Sequence, residues 1–191
     1  DPLEPLNRLT FTINELAFHV AVNPVSKGYK RVIPESVRKG IRNFRNNLFF
    51  PLRFVSNLLQ GKLREAGTET KRFLINSTLG IGGLSNPASS KYNLQPANED
   101  LGQAFGSWGW TSQMYLFLPI IGHSSERYAL GQVGRVFLAP ASLVPVGKTG
   151  LPFNRFAFEA RALEQLLATY YDPYEIARLL YTVNRDIAVR D

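Results

Sequence analysis

Leu6, Leu9, Ile13, Leu16 and Val20 recur at helical spacing behind a proline-bounded entry, Asp1 to Pro5. The spacing predicts a first amphipathic helix ending before Pro24. Phe11 and Phe18 lie on its other side, so the helix is apolar over more than a narrow stripe and is expected to sit between two apolar surroundings. Residues 24–34 (PVSKGYKRVIP) read as a short basic connector, with Pro34 in the first turn of the next helix. On that helix Val37, Ile41, Phe44 and Leu48 fall on one side and Arg38, Arg42 and Arg45 on the other. An apolar face with a basic back suits a helix lying in a membrane interface, and equally a surface helix with a solvated charged face.

The stretch from Gly40 to Gly61 is strongly apolar yet carries Arg45 and Arg53 inside its own run of Phe44, Leu48, Phe49, Phe50, Leu52, Phe54 and Val55. Pro51 divides it, so neither half reaches the ~20 uninterrupted apolar residues of a spanning helix. Burying each Phe or Leu is worth roughly 1.5–3 kcal/mol, and a charge at a bilayer centre costs at least about 2.5–3.5 kcal/mol. The apolar residues win if the guanidinium groups reach headgroup level. A core helix pair with two exposed arginines is the competing reading.

Residues 61–78 predict another helix, with Leu63, Ala66, Thr70, Phe73 and Ser77 inward, stopped by Gly80, Gly82 and Gly83. That glycine cluster follows a helix and lacks the GK[ST] ending of a phosphate loop. Residues 84–98, rich in Ser, Asn and Pro, read as a loop. Ser124 is placed to cap a helix bearing a Leu130, Val133, Phe137 stripe beside Gly131 and Gly134, whose bland use is close backbone packing. Residues 136–146 (VFLAPASLVPV) are too short and proline-broken to span a bilayer and form a second candidate for immersion, through Phe137, Leu138, Leu143 and Val144. Phe156, Ala160, Leu163, Leu167 and Tyr170 define a long helix. Asp172 and Glu175 form a capping box for the last one, with a stripe of Ile176, Leu180, Val183 and Ile187 and a polar outer face.

These 191 residues suffice for one well-buried domain, 1–191. A net charge of +7 favours an anionic partner surface, nucleic acid or phospholipid. The basic residues form no Lys/Arg block, which argues against nucleic acid. With no cysteine, disulfides, thiolate nucleophiles and Cys-ligated metals are excluded. His19 and His123 stand alone, and Ser124 beside His123 lacks a GxSxG elbow or paired carboxylate. No cofactor, metal site or enzymatic activity is therefore expected; the pattern is that of a protein that binds or moves something unaltered. A start at Asp1 is expected of a processed product, after a signal peptide or lipidated cysteine.

Residues 99–127 carry a motif string that resembles the VacJ/MlaA family, outer-membrane lipoproteins of Gram-negative bacteria that help keep phospholipid out of the outer leaflet. That family's pattern is E-D-[FL]-G-Q-x-x-G-x-W-G, then Y-[LV]-x-L-P-x-x-G, then P-S-x-x-R-D. Here it is matched by Glu99, Asp100, Gly102, Gln103, Gly106, Trp108, Gly109, Tyr115, Leu118, Pro119, Gly122, Ser124 and Arg127. The likeness covers nearly the whole chain. DPLEPLNRLTFTIN resembles the family's opening, and residues 37–61 resemble its next block through Arg38, Gly40, Asn43, Phe44, Asn47, Leu48, Pro51, Asn57, Gln60 and Gly61. RFLINSTLGIGG is similar through Arg72, Phe73, Asn76 and Gly80, and DPYEIARLLY through Asp172, Pro173, Tyr174, Arg178 and Tyr181. The chain departs from the family at His123, where Pro is usual, and at Tyr128, Arg135 and Asn86, where Asp is frequent.

The resemblance implies an all-α, ring-like single domain of amphipathic helices lying in the inner leaflet of the outer membrane around an amphipathic channel, behind an N-terminal lipid anchor. It implies association with porin trimers and transfer of phospholipid to a periplasmic carrier, with no nucleic acid involved. Phe44, Leu48, Phe49, Phe50, Leu52, Phe54, Phe137, Leu138, Leu143 and Val144 are the expected acyl-chain and membrane contacts, and Arg45, Arg53 and Arg72 the headgroup contacts. Asn43, Asn47, Pro51, Asn76, Asp100, Gly102, Gln103, Gly106, Trp108, Pro119 and Arg127 are the motif positions expected to be structural. A soluble lipid-binding module and a structural partner of an outer-membrane porin are the alternatives.

Overall fold

In the computed structural model, the described residues are 1–119, 122–138, 165 and 167–190. The fold is all-α with one small hairpin. Helix α1 (Glu4–Ala17) runs through a π-helical turn (Phe18–Val22) into α2 (Asn23–Val32), so the segment expected to be a basic connector is helical. Pro24 does not stop the chain because it falls in the first turn of α2. The wide turn before it, closed by Asn23 N–H donating to the Phe18 carbonyl, absorbs its missing donor and its ring.

Helix α3 (Glu35–Leu48) and α4 (Phe50–Leu59) form the pair hinged at Phe49, with Pro51 in the first turn of α4. Helix α5 (Leu63–Thr78) packs along α4. Its inner face is Ala66, Glu69, Arg72 and Asn76, whereas Leu63, expected inside, is 70% exposed. The face is decided by ion pairing to α4 instead of by apolar content. After α5 the chain turns through Gly82 and Gly83, both in the left-handed region. The segment expected to be wholly loop contains a short helix, α6 (Pro87–Ser90), capped by Asn86.

Helix α7 (Leu101–Ser107) starts with a complete capping box between Asp100 and Gln103. Strands β1 (Tyr115–Leu118) and β2 (Gly122–Ser125) form an antiparallel hairpin with Tyr115 opposite Ser125. Helix α8 (Glu126–Leu138) follows, and its cap is Ser125, whose Oγ accepts the Tyr128 N–H; Ser124 is a buried strand residue. One register step along the strand moves the cap by one residue. Helix α9 (Pro173–Arg190) is capped by Asp172, which accepts the Glu175 N–H, while the Glu175 carboxylate accepts from Arg178 and Arg8 instead of closing the expected box. Residues 139–164 and the expectations placed on them, including Leu143, Val144 and the helix through Phe156, Ala160 and Leu163, lie outside the described residues.

The core is small. Phe11, Phe117, Tyr174 and Ala177 cluster between α1, the hairpin and α9, with Phe11 edge-on to both Phe117 and Tyr174. Asn7, 1% exposed, stitches α1 to β1: its amide N–H donates to the Tyr115 carbonyl and its amide oxygen accepts the Phe117 N–H. A strand edge that would otherwise be buried unpaired is satisfied in this way. Helices α7 and α8 approach closely through glycine, and a Cβ on Gly131 would stand 2.8 Å from the Gly102 nitrogen.

The distribution of polarity is partly inverted. Among the described residues, fourteen buried side chains are polar or charged against ten apolar ones. Leu6, Leu9, Ile13 and Leu16 on α1 and Val20 in the π-helical turn after it are each more than half exposed. So are Val133, Val136 and Phe137 on α8, and Leu180, Val183 and Ile187 on α9 are 45–52% exposed. The polar outer face expected for the last helix is thus apolar, because its inner face is taken by Tyr174 and Ala177. Among the described residues no helix is long and apolar enough to cross a membrane.

Candidate functional site

An open cavity of about 570 Å³ lies among α3, α4, α7 and α8. Arg45, Asn46 and Phe49 line it from the α3 side, Leu52 and Arg53 from α4, Asn98 to Leu101 from the entry of α7, and Tyr128, Gly131, Gln132 and Arg135 from α8. A smaller polar pocket of about 110 Å³ adjoins it, sharing Asn46, Arg53 and Asn98 and reaching Arg72, Phe73 and Asn76.

Arg53, which lines both, is held by the best-buried charge in the described chain. Glu69 is 0% exposed; its Oε2 accepts Arg53 Nε–H at 2.7 Å and its Oε1 accepts the Ala97 N–H at 2.8 Å. Arg72 Nε lies 3.6 Å from the same carboxylate. Arg72 also donates to Ser89 Oγ at 2.8 Å and to the Leu94 carbonyl. Burial lowers the Arg72 guanidinium pKa, and the Glu69 charge works against that shift. Two cations share one carboxylate and further acceptors take the Arg72 Nη1 donor, while Arg72 Nε faces the carboxylate as an ion pair without a hydrogen bond.

On the opposite wall Glu99 accepts from Lys62 at 2.9 Å and from Gln60 at 2.8 Å. Asp100 holds Arg185 of α9 through two bonds of 2.6 and 3.1 Å. Within the lining of the larger cavity, the guanidinium groups of Arg45 and Arg135 stack on the ring of Phe49, 4.9 and 4.6 Å from its centroid. The cavity therefore presents guanidinium, amide and apolar surface together.

Of the expected apolar contacts, Phe49 and Leu52 line the cavity, and Leu52 is 7% exposed. Phe50 stacks on Phe73 at 4.4 Å and touches Phe54. Phe44 and Phe137 are exposed and Leu48 and Leu138 half-buried. Arg45 and Arg53 line the cavity, and Arg72 sits in the smaller pocket.

The motif residues hold the walls. Asn43 donates to the Leu84 carbonyl, Asn47 to Ser77 Oγ, and Asn76 to Asn86 while accepting the Ala88 N–H. Gly102 and Gly106 leave room beside Tyr128 and Arg127. Trp108 donates to the Leu59 carbonyl and Arg127 to the Trp110 carbonyl, and Pro119 is exposed at the hairpin turn. Glu69 and the cavity roles of Gln132 and Arg135 went unread in the sequence. The E-x-x-R spacing of Glu69 and Arg72 is a local signal for one ion pair, but nothing linear joins Glu69 to Arg53.

Behind the cavity, His123 shares a 2.7 Å hydrogen bond with the Tyr115 hydroxyl, stacks on Tyr181 and meets Phe117 edge-on. Burial holds its imidazole down to about 4. Neighbouring residues of a strand face opposite ways, so Ser124, whose Oγ donates to the Ser125 carbonyl, points away from this cluster.

Amphipathic helices with apolar side chains outside and a cationic, amide-lined cavity inside define a class of helical protein that is partly inverted relative to a water-soluble fold. The chain belongs to the MlaA lipoprotein family, whose model matches residues 1–188. It is 36% identical over 127 residues to an uncharacterised protein of Rickettsia typhi, an alignment covering 66% of this chain and 50% of that one. The chain thus spans about half the length of its rickettsial relatives. It is 29% identical to the intermembrane phospholipid transport system lipoprotein MlaA of Haemophilus influenzae, over 100% of this chain and 80% of that protein. The protein of that description from Escherichia coli strain K12 is also 29% identical, over 97% and 77%. A solved structure described as "Structural basis for maintenance of bacterial outer membrane lipid asymmetry" superposes with a TM-score of 0.87 at 26% identity, covering 99% of this chain and 98% of that one.

Proposed function

We propose that this chain, acting as one domain, is a non-catalytic phospholipid-translocating component of the Gram-negative outer membrane. In this reading it lies in the periplasm-facing leaflet beside a porin trimer, behind a lipid anchor. It takes mislocalised phospholipid from the outer leaflet through its cavity and passes it to a periplasmic carrier. The observation that carries the reading is the pairing of outward apolar faces with a cationic interior. Leu6, Leu9, Ile13, Leu16 and Val20 offer lipid a contact at roughly 25 cal/mol per Å², while the guanidinium and amide groups offer a headgroup what water would. Relatives described as intermembrane phospholipid transport lipoproteins support the same reading. A soluble module with a closed lipid pocket would not leave three helices apolar on the outside.

The test is extraction from membranes in mild detergent, followed by mass spectrometry of the bound lipid and removal of the detergent. Phospholipid bound to a protein that precipitates without detergent is expected. A lipid-free protein that stays monodisperse in buffer would refute the proposal.

A further inference from the structure

Resting on the phospholipid reading above, we propose that the smaller polar pocket is a phosphate seat, in which Arg53 and Arg72 receive the phosphodiester of a lipid whose chains lie in the larger cavity. Among the described residues that line this pocket there are two arginines, six asparagines and no carboxylate. The acid that holds the arginines stands behind them: Glu69 is 0% exposed and lines neither space. One carboxylate against two guanidinium groups leaves a surplus positive charge at the pocket wall. Burial lowers the Arg72 pKa, and although Glu69 opposes that shift, the charge of Arg53 adds to it. An anion touching both cations would favour the charged form of each.

The donors around the pocket point to the same ligand. Arg53 engages Glu69 through Nε and the Asn46 carbonyl through Nη1, and Arg72 engages Ser89 Oγ and the Leu94 carbonyl through Nη1. Nη2 of each makes no hydrogen bond to a described residue and stays accessible. Nor do the side-chain amides of Asn46 and Asn98, both exposed and both shared between the two spaces. Guanidinium and amide N–H groups without an acceptor suit the oxygens of a phosphate, which accepts from several directions at once. The pocket, about 110 Å³, has the room of roughly four waters at ~30 Å³ each, enough for one phosphate group and too little for an acyl chain. The chains then take the adjoining cavity of about 570 Å³, and Arg53, which lines both, marks the step from one to the other.

The experiment incubates the full chain in detergent micelles holding equimolar phosphatidylmethanol and diacylglycerol of identical acyl chains, which differ by little more than the phosphodiester. Both bound species are read by mass spectrometry after gel filtration. The wild type should be enriched in the phospholipid about tenfold relative to the micelle, the size of one charge-assisted hydrogen bond. Arg53→Gln should bring the ratio close to one, and Arg53→Lys, which keeps a cation beside Glu69 but loses the Nη2 donor, should retain only part of it. Circular dichroism checks folding. Should Arg53→Gln fail to fold, Asn98→Ala decides: its exposed amide has no hydrogen bond to a described residue to lose, and the ratio should fall about twofold. Excess inorganic phosphate at constant ionic strength separates the two sources of the group. It should leave the phospholipid in place, because the acyl chains add their own burial; displacement would give the pocket to the free anion and overturn the lipid seat. A wild-type ratio of one, or a ratio unmoved by the deciding variant, overturns the seat while leaving lipid binding intact. Absence of any bound lipid overturns this inference together with the function it rests on.

Discussion

Helices α1 and α5 are both amphipathic, of similar length and turned leucine-side out, yet α1 buries the ring of Phe11 beside its polar residues whereas α5 buries a carboxylate and a guanidinium. α1 turns Leu9, Ile13 and Leu16 outward and tucks Asn7 and Thr10 in; α5 turns Leu63 and Leu74 outward and buries Glu69, Arg72 and Asn76. Each outward face would be a defect in water, where an apolar patch of this extent marks an interaction surface. Each inward face would be a defect in an ordinary core, where a carboxylate such as Glu69 is unstable without partners. Together they describe one design: the outside relies on surroundings that are not water, and the inside relies on ion pairs and amide bonds for its cohesion. In such a protein the polar interior should be costly to alter and the apolar exterior cheap, the reverse of a soluble domain.

That contrast is most sharply broken at Glu69. Glu69→Ala strands Arg53 and Arg72 and should cost about 3–5 kcal/mol in a denaturation measured in detergent. A loss under 1 kcal/mol would mean that the interior is not held by this pair. Next comes acid. The His123 imidazole sits at about 4 in the fold against an ordinary value near 6.5, so the unfolded chain binds the extra proton between those values. Stability from this residue is then full above about pH 6.5 and declines as pH falls towards about 4, by about 3 kcal/mol in all. His123→Gln should remove that slope from a plot of melting temperature against pH; an unchanged slope would assign it to other groups.

Gly131→Ala should cost about 1–3 kcal/mol, since its new methyl meets the Gly102 backbone and α7 has to move. The smallest effect is expected outside. Leu9→Asp with Ile13→Asp should change unfolding free energy by no more than about 0.5 kcal/mol, while lowering the fraction of protein recovered with vesicles in a flotation assay. A large loss of fold stability would make that face part of the core after all.

Several features were legible along the chain. The amphipathic periods gave α3, α4 and α5 nearly to the residue and the start of α1, whereas Asp100 and Gln103 were read as motif positions and not as the capping box that starts α7. The close-packing role of Gly131 and Gly134 was readable too. Other features were misread for identifiable reasons. Pro24 looked like a stop because a π-helical turn leaves no sequence pattern. Leu63 and the Ile176, Leu180, Val183, Ile187 stripe were assigned inward or left unturned because periodicity locates a face without saying what it faces. Ser125 displaced Ser124 as the cap once the hairpin fixed its register.

Taken alone, the sequence determined where α3, α4 and α5 form and which of their residues share a face, because those depend on contacts within a few residues, and its motif string pointed to the family. Only the tertiary structure decided which face is inside, that Glu69 joins Arg53 to Arg72, and that Arg45 and Arg135 meet on Phe49. Those outcomes depend on groups far apart in the chain, whose charges and rings interact only after the helices have closed around a common space.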